Sequence, residues 1–436
     1  MDGSAAFGTV TGMEPLDPAR ETVFSWAAPP VVFGPGALGE TGAHVAALGI
    51  RRAALITDPG VVRVGLAARV EESLRAAGVD VVLFDRARVE PTDASLREAG
   101  LWARGAEVDG FVAVGGGSSI DTAKAMNLLS TNDGELEDYL NRPIGRGLAP
   151  IRPLKPLIAI PTTAGTGSEA TATCVVNVVA LHVKTAIAHR ALMPRLAIID
   201  PLTTLTLPPE VTAASGMDVL CHALESWTAV PFDSRPRAEV PAARPAYNGA
   251  NPISDIWCAR ALTLLGRSFR RVMEAPADLQ ARTGMMQAAT YAGIGFGNAG
   301  VHIPHACGYP VAGMVRTYQP AGYPTAEPMV PHGQSVVATA AAVFRFTYAA
   351  SPERHEEAAR LLGGSGTGPS ALPDIVVALC RDIGIPNGLA AFGFGEADVD
   401  DLVAGAMRQS RLLAIAPRAV EGRDLAAIFR ESMQNW

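Results

Sequence analysis

Carboxylate and imidazole side chains occur in the second half of the chain at a spacing that suits a metal ion. Asp218 and His222 lie in GMDVLCHALE (216–225), a helical pattern, so their side chains project from one face a turn apart. Three more of the eight histidines cluster later in the chain: His302, His305 and His332. One Asp with three His, and room for a substrate, suits Fe²⁺ or Zn²⁺ catalysis, and imidazole does not separate these metals. The pattern predicts a divalent-metal site.

Two of these histidines, His302 and His305, compete for one ligand position. Pro304 favours a helix that begins near it, so His302 fits better as a residue at the helix start or as a support for a ligand. His332 directly precedes an apolar helical run, where its side chain could point into a cleft. The alternative is a set of unrelated structural histidines, which would require several coincidences.

A glycine-rich turn in the first half predicts a phosphate site. GGGSSIDTAK (115–124) follows the apolar run FVAV (111–114) and opens a helical pattern. Consecutive glycines let backbone N–H groups approach a phosphate, and the helix N-terminus favours its negative charge. A plain tight turn is the alternative, but the strand before and the helix after favour phosphate binding. The predicted cofactor contacts here are Gly115, Gly116, Gly117, Ser118 and Asp121.

Two further segments carry candidate cofactor contacts. Asp58 ends an apolar run in LITDPG, where its carboxylate could accept hydrogen bonds from a ribose diol and would repel a 2′-phosphate, which favours NAD over NADP. Capping of the next turn is an almost equal explanation for Asp58. The loop PTTAGTGSE (161–169) follows the run LIAI, and loops beyond the carboxyl ends of strands bind ligands in α/β sheets. Its predicted contacts are Thr162, Thr163, Thr166 and Ser168.

The elements that must position these residues are predicted from hydrophobic patterning. Runs rich in Val, Ile and Leu predict buried parallel strands at 53–57, 79–85, 111–114, 157–160 and 196–200. Helical patterns lie between them at 65–77, 94–106 and 119–130. Beyond residue 205 the patterns are helical, at 209–228, 253–274, 334–350 and 397–414. We therefore predict a Rossmann-like α/β nucleotide-binding domain over 1–204 and an all-α metal-binding and substrate domain over 205–436.

Composition excludes several classes of protein. A length of 436 residues favours two domains, and 48% hydrophobic with 18% charged residues describes a globular enzyme. The net charge of −7 argues against a nucleic-acid partner, and the apolar runs are too short for a membrane span. Five scattered cysteines without a CxxC pair fit a reducing compartment. The acidic start lacks a signal-peptide or presequence pattern, so we expect a cytoplasmic protein.

Together these residues resemble the iron-containing alcohol dehydrogenase superfamily, whose architecture is that of dehydroquinate synthase. The superfamily pattern Asp-x-x-x-His, then His, then His-Gly matches the sequence, as do LITD, GGGSxxDxAK and PTTAGTGSE. The resemblance implies a bound NAD, iron as the metal, and His305 rather than His302 as a ligand beside Asp218, His222 and His332. It also implies that Lys184 contacts the cofactor. Simpler members carry a proton-handling histidine where this chain has Tyr309, so Tyr309 is the candidate catalytic residue.

Longer segments resemble the hydroxyacid-oxoacid transhydrogenases within that superfamily. RALMPRLAIIDPL, SGMDVLCHALES and RPAYNGANPISDIW are examples, and the likeness extends from about Thr22 to the C-terminus. It implies hydride transfer from 4-hydroxybutyrate to 2-oxoglutarate through a retained NAD, in a homo-oligomer. Because both substrates are anionic, the pocket needs fixed positive charge. The candidates are Arg235, Arg237, Arg244 and Arg316.

Other functions are compatible with parts of this pattern. An NAD-dependent iron alcohol dehydrogenase would share the metal site and the glycine-rich turn, but would release NADH in each turnover. A zinc glycerol-type dehydrogenase or a dehydroquinate synthase-like lyase would share the fold. A non-catalytic nucleotide-binding or scaffold protein would not need four metal-ligand residues. The long segments therefore favour the transhydrogenase among these functions.

Overall fold

The computed structural model describes residues 17–181, 183–241, 244–323 and 327–436. Most of the acidic N-terminal segment considered above, residues 1–16, lies outside these ranges. The strands in the described ranges are β1 (Val31–Phe33), β2 (Arg52–Ile56), β3 (Asp80–Phe84), β4 (Gly110–Gly115), β5 (Leu157–Pro161), β6 (Thr173–Val178), β7 (Val183–Ala188) and β8 (Leu196–Ile199).

Six strands form one parallel sheet in the order β1-β8-β5-β4-β2-β3. All residues of β4 and β5 are buried, which explains why their sequences are continuous apolar runs and not alternating patterns. The chain runs from β2 outward to β3 and then returns to place β4 on the other side of β2. This reversal creates a crevice at the carboxyl ends of β2 and β4, which is where doubly wound sheets bind ligands. Asp58 follows β2, and the glycine-rich turn follows β4.

The helices before and between the strands are α1 (Thr41–Ala47), α2 (Pro59–Arg63), α3 (Leu66–Ala76), α4 (Asp93–Gly105), α5 (Gly117–Thr131) and α6 (Leu136–Tyr139). Those after the sheet are α7 (Pro209–Thr228), α8 (Pro252–Glu274), α9 (Leu279–Ala299), α10 (Ile303–Gly313), α11 (His332–Val337), α12 (Ala340–Thr347), α13 (Pro352–Leu361), α14 (Ala371–Asp382), α15 (Val399–Met407), α16 (Ser410–Leu413) and α17 (Gly422–Glu431). The predicted fold, a Rossmann-like parallel sheet followed by a helical region, is confirmed.

Some elements differ from the sequence-based expectation. The short edge strand β1 was not predicted, because three residues are too few to show a period. The antiparallel hairpin β6–β7 was also missed, since polar residues such as Asn177 and Lys184 interrupt its apolar pattern. The single helix predicted over 334–350 is divided into α11 and α12. The boundary at residues 204 and 205 stays a prediction.

Helix α7 forms the centre of the helical region. It is buried over most of its length against α8, α9 and α11, in a core that includes Leu220, Leu265 and Phe269. Gly333, in the first turn of α11, makes the closest approach, because a Cβ built there would lie 1.9 Å from the Ala214 carbonyl oxygen of α7. None of the helices within the described ranges is long and apolar enough to cross a membrane.

Buried charges fasten the loop after β5 to its surroundings. Lys124 on α5 is fully buried and donates hydrogen bonds to the Ser168 carbonyl (2.7 Å), the Ser168 hydroxyl (2.8 Å) and the Thr173 carbonyl (2.7 Å). Its ammonium lies 3.6 Å from Asp121, whose other carboxylate oxygen accepts the Val175 N–H at 2.9 Å. These bonds hold helix α5, the loop and the hairpin as one unit, because an unpaired buried charge would be costly.

Glu169, at the end of the same loop, is buried between the sheet and α9. Its exposed fraction is 2%, and the Thr290 hydroxyl of α9 lies 3.5 Å from its carboxylate. Burial raises the pKa of Glu169 from its ordinary 4.5 to about 6, against smaller opposing effects that include the charge of Lys124. Ionised Glu169 therefore destabilises the fold.

We predict that Glu169→Gln changes the pH dependence of stability. Because the pKa of Glu169 is raised in the folded state, the free energy of unfolding of the wild type is not reduced by this group below about pH 4.5. It falls as the pH rises from there to about 6. Relative to the Gln variant, the loss reaches about 2 kcal/mol above that range. Urea unfolding at several pH values measures the difference. Glu353→Gln, at an exposed position on α13, is the control, and a Glu169→Gln difference that does not vary with pH would contradict the prediction.

Candidate metal centre and cofactor cleft

Three imidazoles surround one carboxylate oxygen at the meeting point of three helices. The Nε2 atoms of His222, His305 and His332 lie 3.6, 3.6 and 3.7 Å from Oδ1 of Asp218. Asp218 and His222 come from the middle of α7, His305 from the first turn of α10, and His332 from the start of α11. The structure thus brings together all four residues predicted as metal ligands.

Two of the donor atoms at this centre lack hydrogen-bond partners. Oδ1 of Asp218 and Nε2 of His305 are buried without one, and distances of 3.6 Å are too long for hydrogen bonds between them. Leaving buried polar atoms unpaired costs free energy. The donor atoms of Asp218, His222 and His305 lie within 4.8 Å of one another, so these residues fit a metal ion, and His332 faces the same carboxylate oxygen of Asp218.

Glu225, which was not selected from the sequence, orients His305. Its Oε1 lies 2.6 Å from His305 Nδ1, and its Oε2 accepts the backbone N–H groups of His302 (2.6 Å) and His305 (3.3 Å). Donation from Nδ1 to Glu225 directs the lone pair of Nε2 toward Asp218, an arrangement typical of metal-bound histidines. Asp218, His222 and Glu225 follow an i, i+4, i+7 spacing on α7, and this spacing was the signal that could have identified Glu225.

His302 occupies the N-cap of α10, as its position before Pro304 indicated. Its Nδ1 accepts the N–H of Ile303 at 2.8 Å, and its Nε2 lies 3.0 Å from the Thr228 hydroxyl. Both ring nitrogens are therefore occupied within the protein. His302 supports the start of α10 and does not face Asp218 with the other three imidazoles.

Electrostatics at the centre favour an ionised Asp218 beside neutral imidazoles at His222 and His332, whereas His305 favours its protonated form. Burial lowers the pKa of His222 to about 4 and that of His332 well below its ordinary value. Although burial alone would raise the pKa of Asp218, the three imidazoles hold it well below its usual range. For His305, burial would lower the pKa, but the carboxylates of Glu225 and Asp218 outweigh it and raise the pKa to about 10. The imidazole of His305 is therefore more basic, which strengthens it as a metal ligand once a metal ion displaces its proton.

A cavity of about 340 Å³ lies at the carboxyl edge of the sheet and contains much of the predicted cofactor site. Its predicted cofactor residues are Asp58, Gly116, Gly117, Ser118, Thr162, Thr163 and Thr166. Helix α5 begins there at Gly116 without a side-chain cap, so its first N–H groups are available to an anion. A Cβ at Gly117 would lie 2.5 Å from the Thr166 hydroxyl, so the cradle requires glycine. These residues fit the phosphates of a dinucleotide.

Asp58 has both of the properties considered for it. Its Oδ1 accepts the N–H groups of Gly60 (2.8 Å) and Val61 (3.1 Å), so it caps α2, and its Oδ2 accepts the hydroxyl of Ser119 (3.0 Å). It also lines the larger cavity. Capping is the role that the structure displays, and the contact with a ribose stays a proposal.

A smaller cavity of about 100 Å³ lies on the other side of the candidate metal ligands. Predicted residues that line it include Asp121, Ser168, Lys184 and Tyr309. The ammonium of Lys184 is paired with Glu90 at 2.5 Å. Of the remaining predicted cofactor contacts, Gly115 lines neither cavity. Its positive φ of 157° ends β4 where a Cβ would lie 2.4 Å from the Ser119 hydroxyl.

Tyr309 lies one turn after His305 on α10, with its ring centroid 6.0 Å from that of His332. Its side chain is almost completely buried, and burial raises the pKa of its phenol. The hydroxyl is therefore protonated near neutral pH.

The arginines proposed to bind substrate carboxylates are not at the site, and this prediction was wrong. Arg235 donates to the Tyr247 carbonyl at 2.5 Å, and Arg237 is exposed. Arg244 is paired with Glu21, and Arg316 with Asp398. None of the four lines the larger cavity or the smaller cavity beside the metal ligands, and Arg235 and Arg244 instead line a separate cavity with Glu21. Loop position alone did not indicate which arginines face inward.

Comparison with protein families identifies the family of this chain. Residues 28–201 match the family model described as iron-containing alcohol dehydrogenase, and residues 246–433 match the C-terminal model of the same family. This chain belongs to the iron-containing alcohol dehydrogenase family. The helix that carries Asp218 and His222 lies between the two matched regions, whereas His305 and His332 lie within the second.

Curated relatives and solved structures of this family cover nearly the whole chain. The mitochondrial hydroxyacid-oxoacid transhydrogenase of Bos taurus is 44% identical over 439 aligned positions, which cover 99% of this chain and 94% of the relative. The Homo sapiens protein of that name is 41% identical with the same coverage. A 1,3-propanediol oxidoreductase superposes with a TM-score of 0.82 at 30% identity, covering 94% of this chain and all of the other. Sulfoacetaldehyde reductase from Bifidobacterium kashiwanohense, solved with NAD⁺, gives 0.79 at 26% identity, covering 95% and 99%.

The relatives contradict the expected cytoplasmic location. The bovine and human relatives are named mitochondrial and extend over 99% of this chain. The expectation was based on features that the N-terminal residues lack. The lack of a leader pattern is weaker evidence than the mitochondrial names of relatives that align with nearly the whole chain. The predicted cytoplasmic location was therefore wrong.

We predict that Glu225→Gln weakens metal binding by about 10–100-fold. The variant removes the negative charge beside His305 and presents an amide donor to backbone N–H groups that already donate. Metal content after dialysis against graded chelator measures the effect. Glu210→Gln, at an exposed position on the same helix, is the control. Equal metal affinity in the Glu225→Gln variant and the wild type would contradict the role of Glu225.

A second prediction concerns the approach of α11 to α7. Gly333→Ala would place a Cβ against the Ala214 backbone, which must shift, and the displaced helix start would move His332 away from Asp218. We expect loss of bound metal together with a destabilisation of about 1–3 kcal/mol. Metal analysis and thermal unfolding measure both. Gly105→Ala, where a Cβ meets open space, is the matched control, and retained metal in Gly333→Ala would overturn the prediction.

Proposed function

We propose that this chain is a hydroxyacid-oxoacid transhydrogenase, which oxidises 4-hydroxybutyrate to succinate semialdehyde and reduces 2-oxoglutarate to D-2-hydroxyglutarate. In this proposal a tightly bound NAD carries the hydride between the two half-reactions, and the protein forms a homo-oligomer. The metal is Fe²⁺, with Zn²⁺ as the alternative ion. Relatives with that name, at 41–44% identity over nearly the whole chain, support the assignment.

The observation that carries the proposal is the position of Asp218 and His332, which line both cavities. The larger cavity has a glycine-rich helix start suited to a dinucleotide, and the smaller one has room for a short carbon chain. A cofactor and a small substrate placed in the two cavities would meet at the candidate metal ligands. This arrangement suits hydride transfer between them.

The candidate ligands would hold the metal, which supplies a Lewis acid that lowers the pKa of a substrate hydroxyl when bound. NAD supplies the hydride acceptor, and the protein supplies its orientation. We propose that the start of α5 binds the pyrophosphate, together with the hydroxyls of Thr162, Thr163 and Thr166. Asp58 is proposed to bind the ribose diol and to exclude a 2′-phosphate. Lys184 remains a proposed cofactor contact beside Glu90.

Tyr309, which lines the smaller cavity, is proposed to contact the substrate as a hydrogen-bond donor. Because its phenol is buried and has a raised pKa, it can donate a hydrogen bond but cannot accept a proton near neutral pH. The burial of His305 and Tyr309 also restricts water at this end of the smaller cavity. Tyr309 would therefore be a hydrogen-bond donor and not a general base.

The transhydrogenase and an ordinary alcohol dehydrogenase of the family differ in whether NAD is released. We predict that the purified protein forms 2-hydroxyglutarate from 4-hydroxybutyrate and 2-oxoglutarate without added NAD, as measured by mass spectrometry. Asp218→Asn, which removes a charged ligand, is expected to abolish the reaction. NADH that accumulates only after NAD is supplied, without 2-hydroxyglutarate formation, would favour the alcohol dehydrogenase instead.

A further inference from the structure

One end of the smaller cavity is formed by two tyrosines from different elements. Tyr247, in the segment before α8, and Tyr309, on α10, both line the cavity and are 5% and 7% exposed. They pack in one cluster with Leu412 and Ile415, which follow the start of α16. We call Tyr247 and Tyr309 the tyrosine end of the cavity. Two phenol hydroxyl groups at one end of a small cavity suit an acceptor such as a carboxylate.

Arg411, on α16, packs against Tyr247 of the tyrosine end. Its guanidinium carbon lies 4.6 Å from the centroid of the Tyr247 ring, and its positive charge opposes the burial that raises the pKa of Tyr309. Gln409, just before α16, donates from its side chain to the Lys184 carbonyl of β7 at 3.3 Å. Arg411 is thus held between the hairpin and the tyrosine end, although it does not itself line the cavity.

Arg411 lacks an anionic partner among the described residues. Its Nη1 is buried and makes no hydrogen bond, and no ion pair joins it to another described residue. Arg244 and Arg316, by contrast, are neutralised by Glu21 and Asp398. The Arg411 side chain is only partly buried, but leaving its buried Nη1 without a hydrogen bond is costly, and stacking on Tyr247 offsets only part of that cost. The missing counter-charge points to an anionic ligand.

The other charges around the cavity indicate where such a ligand would bind. Lys184 is the second cation, but Glu90 already pairs with it at 2.5 Å. Asp121 and Asp218 would repel a carboxylate near them, and both line the cavity. The tyrosine end is therefore the position where hydroxyl donors coincide with uncompensated positive charge.

We propose that the tyrosine end binds the carboxylate of the hydroxy or oxo acid, with Arg411 as the positioning residue that supplies positive charge behind Tyr247. The inference rests on the proposed function, since it assigns the substrate's carboxylate to one end of the cavity and its reacting carbon to the other. Arg411 selects acids over neutral alcohols of equal length. It replaces the four loop arginines that the sequence suggested.

The test compares an acid with a matched neutral alcohol in single-turnover reactions without an acceptor. Wild type and Arg411→Gln, supplied with NAD, are mixed with 4-hydroxybutyrate or with 1,4-butanediol, and NADH absorbance is followed. We expect half-saturation by the acid to rise about tenfold or more in Arg411→Gln, with the diol changed less than about twofold. Arg411→Lys should restore most of the affinity for the acid. A parallel change for acid and diol, or no change, would overturn the inference.

Arg418→Gln is the matched control. Arg418 also stacks on an aromatic ring, with its guanidinium carbon 4.0 Å from the Phe346 centroid, but it is exposed and donates to the Phe346 carbonyl. It should leave both half-saturation values unchanged. If Arg411→Gln fails to fold by circular dichroism, Tyr247→Phe removes one donor of the tyrosine end and should weaken binding of the acid selectively. An equal effect of Tyr247→Phe on the diol would overturn the inference.

Calorimetric titration with butyrate separates this inference from the proposed function, because butyrate has the carboxylate but no hydroxyl to oxidise. Binding that is weakened by Arg411→Gln, in a protein that forms no NADH from 4-hydroxybutyrate, would support the carboxylate site and refute the proposed reaction. If NADH forms from 4-hydroxybutyrate but butyrate binds equally well to wild type and Arg411→Gln, the oxidation of the hydroxy acid would be supported and the carboxylate site refuted. Failure of butyrate to bind the wild type would overturn the inference whichever reaction is observed.

Discussion

The structure depends on one electrostatic arrangement. A buried carboxylate oxygen of Asp218 faces three imidazole nitrogens, and each of them is too distant to form a hydrogen bond with it. Oδ1 of Asp218 and Nε2 of His305 have no hydrogen-bond partner inside the protein, and a cation bound between them would satisfy both. Because the donors come from α7, α10 and α11, a cation would also join these three helices, in addition to the hydrogen bonds between Glu225 on α7 and the start of α10. Metal binding and packing of the helical region are therefore linked.

Two kinds of support keep these donors in place. Glu225 fixes the orientation of His305 and, through backbone N–H groups, the start of α10. Gly333 lets α11 approach α7 so closely that no side chain fits between them, and this sets the position of His332. One support acts through charge and the other through the absence of a Cβ. Substitutions at Glu225 or Gly333 should therefore weaken metal binding, although neither residue is a ligand.

Sequence patterns predicted those parts of the molecule whose residues have a strong physical reason to be where they are. The central strands are buried on both faces, so their apolar runs were unambiguous, whereas the hairpin β6–β7 has polar residues on it and was missed. The spacing of Glu225 from Asp218 and His222 places it on the same face of α7, but its partner His305 is identified only when α10 is packed beside it. Arg411 gave no signal for the same reason, because its environment is created by Tyr247, which is distant in sequence. The cytoplasmic location was inferred from the lack of a leader pattern in the sequence, and this inference was wrong.

The hairpin β6–β7 has a consequence for how the molecule can move. It follows the sheet in sequence and is bonded to α5 through Asp121 and Lys124, yet β7 packs against α10 and accepts a hydrogen bond from Gln409 of the helical region. It therefore bridges the two sides of the cleft at a point remote from the chain connection near residue 205. A simple hinge about that connection would have to break the bridge, so small sliding of packed elements is the easier motion. Such a restricted cleft would exchange a dinucleotide slowly while still admitting molecules of a few carbon atoms.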